Sequence, residues 1–268
     1  MLDLHAALLA LAAMLAFALA AWPVSVAKTD VSIVDSLWSL FFVAGAAIYA
    51  AFALPRPDGA RAVCVAALLV IWALRLCGYV TWRNLGEPED RRYQAIRARN
   101  QPGFAWKSIY LVFALQAVLA WIVALPVFAA LTGGAAFGAL DCAGIALWAA
   151  GFAFESIGDQ QLAKFKADPS NRGRVLERGL WRYTRHPNYF GEATLWWGFF
   201  LFAAAAGAWW TVVAPLLMTV LLLKVSGVAL LEKDIGERRP AYRDYILRTS
   251  AFIPLPPKHP AAAERDAR

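Results

Sequence analysis

The chain has 268 residues, of which 60% are hydrophobic and only 17% charged, and the apolar residues come in long blocks. A soluble domain is nearer half apolar and a quarter charged, so the composition excludes an ordinary soluble enzyme and points to a membrane protein. The net charge of +7 is read as loops facing anionic lipid or a phosphorylated cofactor rather than nucleic acid.

A helix needs about 20 apolar residues to cross the hydrocarbon core. Seven stretches qualify or nearly qualify: 5–27, 32–54, 62–82, 107–131, 137–158, 191–207 and 209–231. The expected fold is therefore all-α, a polytopic bundle of about seven transmembrane helices in a single domain over 1–255. The first stretch is expected to be a retained helix. Its leader Met1-Leu2-Asp3-Leu4-His5 carries no Lys or Arg, and its apolar run is too long for a signal peptide. The sixth and seventh stretches meet at Gly207 and are expected to form a tight helical hairpin. After Phe252 the run Ile253-Pro254-Leu255-Pro256-Pro257 breaks any helix, and 256–268 is expected to be a disordered tail.

The loops set the orientation. Residues 83–107 carry Arg83, Arg91, Arg92, Arg97, Arg99 and Lys107, and 164–185 carry seven more Lys and Arg. In contrast, 55–61 holds only Arg56 and Arg61, and 132–140 holds no charge. By the positive-inside rule both basic loops and the C-terminus face the cytoplasm, and the N-terminus faces out.

Ionisable groups in or beside spans are costly and mark candidate sites. These are Asp35, Arg75, Glu155, Asp159, Glu192, Lys224 and Glu232. The structural alternative is that Asp35 or Glu155 merely neutralises Arg75. Most of these groups fall near cytoplasmic helix ends, which implies a polar cavity opening inward. The three cysteines, Cys64, Cys77 and Cys142, lie in apolar stretches without disulfide or zinc spacing, so no metal is expected.

The densest chemistry is the run from Gly179 to Glu192, which passes from a basic loop into a helix. Pro187 suits the first turn of that helix, whose unpaired N–H groups, with flanking arginines, suit a phosphate or carboxylate. Asn188 and Glu192 are four apart on one face, placed for a ribose or amide, with His186 beside them. No GxGxxG, no GxxxxGK[ST] and no metal-spaced His/Cys cluster occurs. Any nucleotide is held by neither a Rossmann fold nor a P-loop.

The run Arg185-His186-Pro187-Asn188-Tyr189-Phe190-Gly191-Glu192 resembles the C-terminal signature of the steroid 5-alpha-reductase superfamily. The wider pattern resembles its bacterial branch, the DUF1295 proteins. It includes Val34-Asp35-Ser36-Leu37-Trp38-Ser39, Arg83 to Asp90, Gly158 to Lys166, Lys224-Val225-Ser226-Gly227 and Arg248 to Pro254, about residues 30–255 in all. The resemblance implies seven helices and NADPH in a cytoplasm-facing cavity. It also implies reduction of a carbon–carbon double bond conjugated to a carbonyl in a hydrophobic, steroid-like or lipid substrate. It carries over Asp159, Lys166, Arg174, Asn188 and Glu192 as cofactor-binding residues, and Arg75 and Tyr79 as catalytic ones; the run itself adds Arg185, His186 and Tyr189 to the cofactor site, and Asp35 is the candidate catalytic acid. The departures fall at the catalytic end, where the superfamily's Gln-Glu pair and Tyr correspond to positions near Val34-Asp35 and Trp72.

The expected function is thus an NADPH-dependent oxidoreductase of a bacterial inner membrane. Its expected partners are a hydrophobic small molecule and membrane lipid, with neither nucleic acid nor metal. One alternative is an S-adenosylmethionine-dependent methyltransferase, since isoprenylcysteine carboxyl methyltransferases have a similar Arg-His-Pro-x-Tyr-x-Gly run. The other is a non-catalytic lipid-binding or assembly protein.

Overall fold

The computed structural model describes residues 2–54, 59–225, 227–232 and 235–258. Every regular element among them is helical, apart from one isolated parallel bridge between Thr184 and Ser250. Among the described residues six helical runs are long and apolar enough to cross a membrane: Leu4–Lys28, Ile33–Phe52, Gly59–Asn84, Phe104–Val123, Ala139–Ala167 and Trp209–Glu237. The protein is an integral membrane protein. Arg56, Ser226 and the tail from 259 onward, on which some of the expectations above fall, lie outside the described residues.

The chain divides into two compact units, Met1–Asp141 with Phe202–Ala214, and Cys142–Leu201 with Pro215–Arg268. In the first, α1 (Leu4–Lys28), α2 (Ile33–Phe52) and α3 (Gly59–Asn84) pack in sequence. Asp3 caps α1 by accepting from the Ala6 N–H at 3.0 Å, and its second oxygen accepts from the Leu54 N–H at 2.9 Å. One carboxylate therefore joins the start of α1 to the end of α2, satisfying an orphan helix donor on the way.

The short helix α4 (Arg91–Arg99) follows, then α5 (Phe104–Val123), which carries a π-helical turn over Ile109–Ala114. Two indoles fasten α5 to α1. Trp22 donates to the Ala105 carbonyl at 2.9 Å, and Trp121 donates to the Ala7 carbonyl at 2.7 Å. The stretch expected to be one span over 107–131 is divided, with α5 ending at Val123 and α6 running over Leu125–Leu131. Pro126 supplies the reason. It has no N–H to continue the ladder, but it fits the first turn of a new helix.

A buried ion pair closes the far end of this unit. Arg61, at the start of α3, gives Nε and Nη2 to the two oxygens of Asp141 at 2.6 and 2.8 Å. Its remaining hydrogens go to the carbonyls of Gly133, Ala135 and Ala136 at 3.3, 2.8 and 3.0 Å. The uncharged 132–140 loop is thus moulded around a guanidinium whose donors are all satisfied.

In the second unit, α7 (Ala139–Ala167) and α8 (Pro187–Ala205) cross on glycines seven residues apart, Gly144, Gly151 and Gly158 on one and Gly191 and Gly198 on the other. A Cβ on Gly151 would lie 2.5 Å from the Leu195 nitrogen and 2.6 Å from the Gly191 oxygen. Small residues are how membrane helices bring backbones into contact. Gly151→Val is therefore expected to lower the melting temperature in detergent by the equivalent of about 2–3 kcal/mol of overpacking. Gly78→Ala, where a Cβ meets nothing within 4 Å, is the control. Equal melting of the two variants would show that the crossing tolerates a side chain.

The chain continues through α9 (Val213–Val220), a π-helical turn over Leu221–Val225, α10 (Val228–Glu232), α11 (Ile235–Arg238) and α12 (Ala241–Arg248). The described part of the tail returns to the unit. Leu255 donates to the Tyr183 carbonyl at 3.0 Å, and Lys258 donates to the Arg248 carbonyl at 2.9 Å.

Candidate active site

Two polar clusters stand out, one in each unit. In the first, Asp35 lies in the opening turn of α2 and faces a helix that the basic 83–107 loop hides in sequence. The Tyr93 phenol donates to one Asp35 oxygen at 2.6 Å, and Arg92 Nη2 donates to the other at 2.6 Å. The phenol oxygen also accepts from Gln116 of α5 at 2.8 Å. Arg92 reaches on to Asp90 at 2.9 Å, and Asp90 caps α4 by accepting from the Arg92 N–H at 2.9 Å.

Asp35 is thus held by Arg92 and Tyr93. The helix that carries them is itself pinned down. Glu89 accepts from the Val31 N–H at 2.9 Å and from Arg97 at 2.9 and 2.7 Å, while Arg97 lies over the Phe104 ring at 4.7 Å. Burial pushes the Glu89 carboxyl up, but Arg97 and the Val31 N–H outweigh it and hold it below the usual carboxylate range. Burial, then the nearby Asp35 charge, pushes the Tyr93 phenol well above its ordinary value. Burial opposes the Arg92 charge, yet Asp35 and Asp90 raise its pKa above the ordinary arginine value. The result is a protonated phenol wedged between a carboxylate, a guanidinium and an amide.

Arg75 and Tyr79 share one face of α3. The Arg75 guanidinium lies 5.3 Å from the centre of the Tyr79 ring, with Arg83 at 5.9 Å from the same ring. This is cation–π spacing at successive helical turns.

The second cluster is built around the loop that enters α8. Asn188 donates to Asp159 at 3.1 Å, so the amide and acid singled out in sequence do meet. Asp159 and Glu192 are buried, at 3% and 9% exposed, whereas Lys166 and Arg174 are exposed. The entering loop is anchored to α7 by Trp181, which donates to the Gly158 carbonyl at 3.0 Å, and by Gln161, which accepts from the Leu180 N–H at 2.9 Å.

Arg185 is committed internally. Its Nε and Nη2 clasp Glu232 at 2.7 and 2.8 Å, and Nη1 donates to the carbonyls of Ile246, at 3.0 Å, and Thr249. It closes the C-terminal end of α12 in place of the missing helical partners. His186 places Nε2 2.8 Å from Glu232, and its ring stacks flat on Tyr189, 5.5 Å between centroids. The exposed cations nearby in sequence are Lys164, Lys166, Arg172, Arg174, Arg178 and Arg182. Among the described residues no group of three His, Cys, Asp or Glu is placed to hold a metal.

Sequence reasoning missed Tyr93, Arg92 and Gln116. The one local signal was Asp90 ahead of a short polar helix, a helix start of the Asp N-cap kind. Nothing near Asp35 in sequence indicates a phenol 58 positions on.

Comparison with known proteins adds three findings. The model of a family described as a protein of unknown function (DUF1295) matches residues 21–249. An uncharacterized protein of the fission yeast Schizosaccharomyces pombe is 28% identical over 260 residues, covering 87% of this chain and 75% of its own length. No solved structure matches.

Proposed function

Since the chain belongs to the DUF1295 family, whose function is unknown, the case rests on its own side chains, and we propose a membrane-embedded, NADPH-dependent reductase of a carbonyl-conjugated double bond in a steroid-like or lipid substrate. On this reading the family is the bacterial branch of the steroid 5-alpha-reductase superfamily and the address is a bacterial inner membrane. Pro187–Ala205 is then a seventh crossing, with the N-terminus outside and both basic loops in the cytoplasm.

The observation that carries the reading is the hydrogen bond from Tyr93 to Asp35. Reducing an enone puts negative charge on the carbonyl oxygen, and a preorganised donor aimed at that oxygen lowers the barrier. A phenol with a raised pKa keeps its proton through the neutral range, so it serves as a standing hydrogen-bond donor. Gln116 donates to the phenol oxygen, Asp35 accepts the phenol's one hydrogen in the free protein, and Arg92 remains the donor to Asp35 when that hydrogen turns to the carbonyl. Substrate binding swings the phenol hydrogen from Asp35 to the carbonyl.

The second cluster has the mixed chemistry that a nucleotide requires. Asp159 and Asn188 provide acceptors and a donor for hydroxyl and amide groups. Lys166 and Arg174, exposed, provide charge for phosphates. Glu192 and Tyr189 complete the polar face, with Arg185 and His186 behind it. Arg75 and Tyr79 are retained as substrate-side residues on α3. The bound cofactor would supply the hydride, and the protein its orientation and the stabilisation of charge.

The test is binding of NADPH, NADH and S-adenosylmethionine to detergent-purified protein, with Asn188→Ala alongside. The expected result is preference for NADPH, weakened about tenfold in the variant by loss of one hydrogen bond worth about 1.4 kcal/mol. Binding of S-adenosylmethionine alone would replace the reductase by a methyltransferase. Binding of none of the three by a well-folded protein would leave a non-enzymatic lipid-binding role.

A further inference from the structure

Helix α5 carries one residue more than an unbroken α-helix could place. Ser108 and Ala117 are both fully buried, and Trp106 and Leu115 are both exposed, although the members of each pair lie nine positions apart. At 3.6 residues per turn, nine positions are about 180° round the helix, so an unbroken α5 would put one member of each pair on the wrong side. The π-helical turn over Ile109–Ala114 lies between them. Its i→i+5 bonds take up one residue, which turns everything beyond it back by about 100° and makes the buried and exposed stripes continuous.

The helix is fixed to α1 on both sides of this turn. Ahead of it, Trp22 donates to the Ala105 carbonyl at 2.9 Å and to Ser108 Oγ at 3.2 Å. Beyond it, Trp121 donates to the Ala7 carbonyl at 2.7 Å. Gln116 stands between the turn and Trp121, and its amide donates to the Tyr93 phenol at 2.8 Å. With both sides held, the place of the turn decides which way Gln116 points. A turn lying beyond Gln116 would leave the amide about 100° away from the phenol.

We propose that this π turn is an aiming element: it stores one residue between two fixed points and, by lying ahead of Gln116, sets that amide against Tyr93 as a positioning residue. The phenol oxygen gives its one hydrogen to Asp35 at 2.6 Å while it accepts from Gln116. Hydrogen bonds in such a chain polarise one another, so the incoming N–H strengthens the phenol as a donor. Gln116 therefore acts through Tyr93 and not on a substrate. Its consequence for turnover rests on the reading of Tyr93 as donor to a substrate carbonyl, whereas the aiming does not.

3-Fluorotyrosine placed at position 93 gives a 19F resonance that reports the hydrogen bonds of this phenol in the detergent-purified full chain, without any substrate. Gln116→Leu is expected to shift that resonance and, with a hydrophobic enone, to lower kcat about fivefold at unchanged KM. Deleting Leu111, inside the turn, should leave an unbroken α-helix with both anchors in register, so resonance and melting temperature stay at their wild-type values. Deleting Val118, beyond Gln116, should lower the melting temperature and shift the resonance, because the residue is then removed on the wrong side.

Three results would overturn the proposal: no shift in Gln116→Leu, a shifted resonance or lost fold on deleting Leu111, or wild-type behaviour on deleting Val118. Failure of the functional reading looks different. Absence of enone turnover in the wild type, or wild-type kcat in a Gln116→Leu protein whose resonance has moved, would defeat Tyr93 as the catalytic donor and leave the aiming intact.

Discussion

Tyr93→Phe is expected to lower kcat on a hydrophobic enone about a hundredfold, the usual loss when one donor to a developing oxyanion is removed. NADPH affinity should change little, because the phenol belongs to the Asp35 cluster and not to the Asp159–Asn188 pair. Some stability will go too. Asp35 loses a 2.6 Å donor and Gln116 loses its acceptor, together about 1–3 kcal/mol. Melting is therefore measured beside turnover, and Asp35→Asn is measured as the companion. Asn still accepts from the phenol but relinquishes the charge that Arg92 offsets, so it should retain more activity than Tyr93→Phe. Wild-type kcat in a folded Tyr93→Phe protein would show that the phenol only braces α4 against α2.

Asp141→Ala should produce the largest loss of stability of any single change considered. It strands a guanidinium that is 3% exposed against an aspartate that is fully buried, and an uncompensated buried charge costs about 3–5 kcal/mol. In detergent that corresponds to a fall in melting temperature on the order of 10 °C. The double variant Arg61→Met/Asp141→Leu removes both charges and should recover part of the loss. Recovery will be incomplete because the Gly133, Ala135 and Ala136 carbonyls lose their donor. If Asp141→Ala melts like the wild type, the pair is a passenger and the loop is held by its own backbone.

The helices were legible because each carries its own signal. The stretches read as 5–27, 32–54 and 62–82 appear as Leu4–Lys28, Ile33–Phe52 and Gly59–Asn84. A long apolar run needs no distant partner to be recognised, since hydrocarbon forces its backbone bonds to close within the helix. Pro187 was placed in the first turn of its helix, and α8 begins there, for an equally local reason. Where the signals competed, as at Pro126 inside an apolar run, hydropathy overran the break.

The site was legible in its ingredients and not in its pairings. Asp35, Asn188, Asp159 and His186 stood out because polar groups beside lipid are expensive. Their partners Tyr93 and Arg92 did not, because they look like ordinary residues of a basic loop, and Glu232 was singled out without the partners it holds. Arg61 was counted only as a loop charge, and its partner Asp141 lies 80 positions away. Arg185 was expected at the cofactor site from its place in the signature run, and nothing in the sequence signalled that its guanidinium pairs with Glu232 and the end of α12. By itself, then, the sequence determined a membrane-spanning, all-helical chain and the residue types available for chemistry, since those follow from composition and short-range periodicity. Only the tertiary structure decided which carboxylate faces a phenol and which arginine is sealed, because each depends on hydrogen-bond partners supplied by chain segments tens of residues apart.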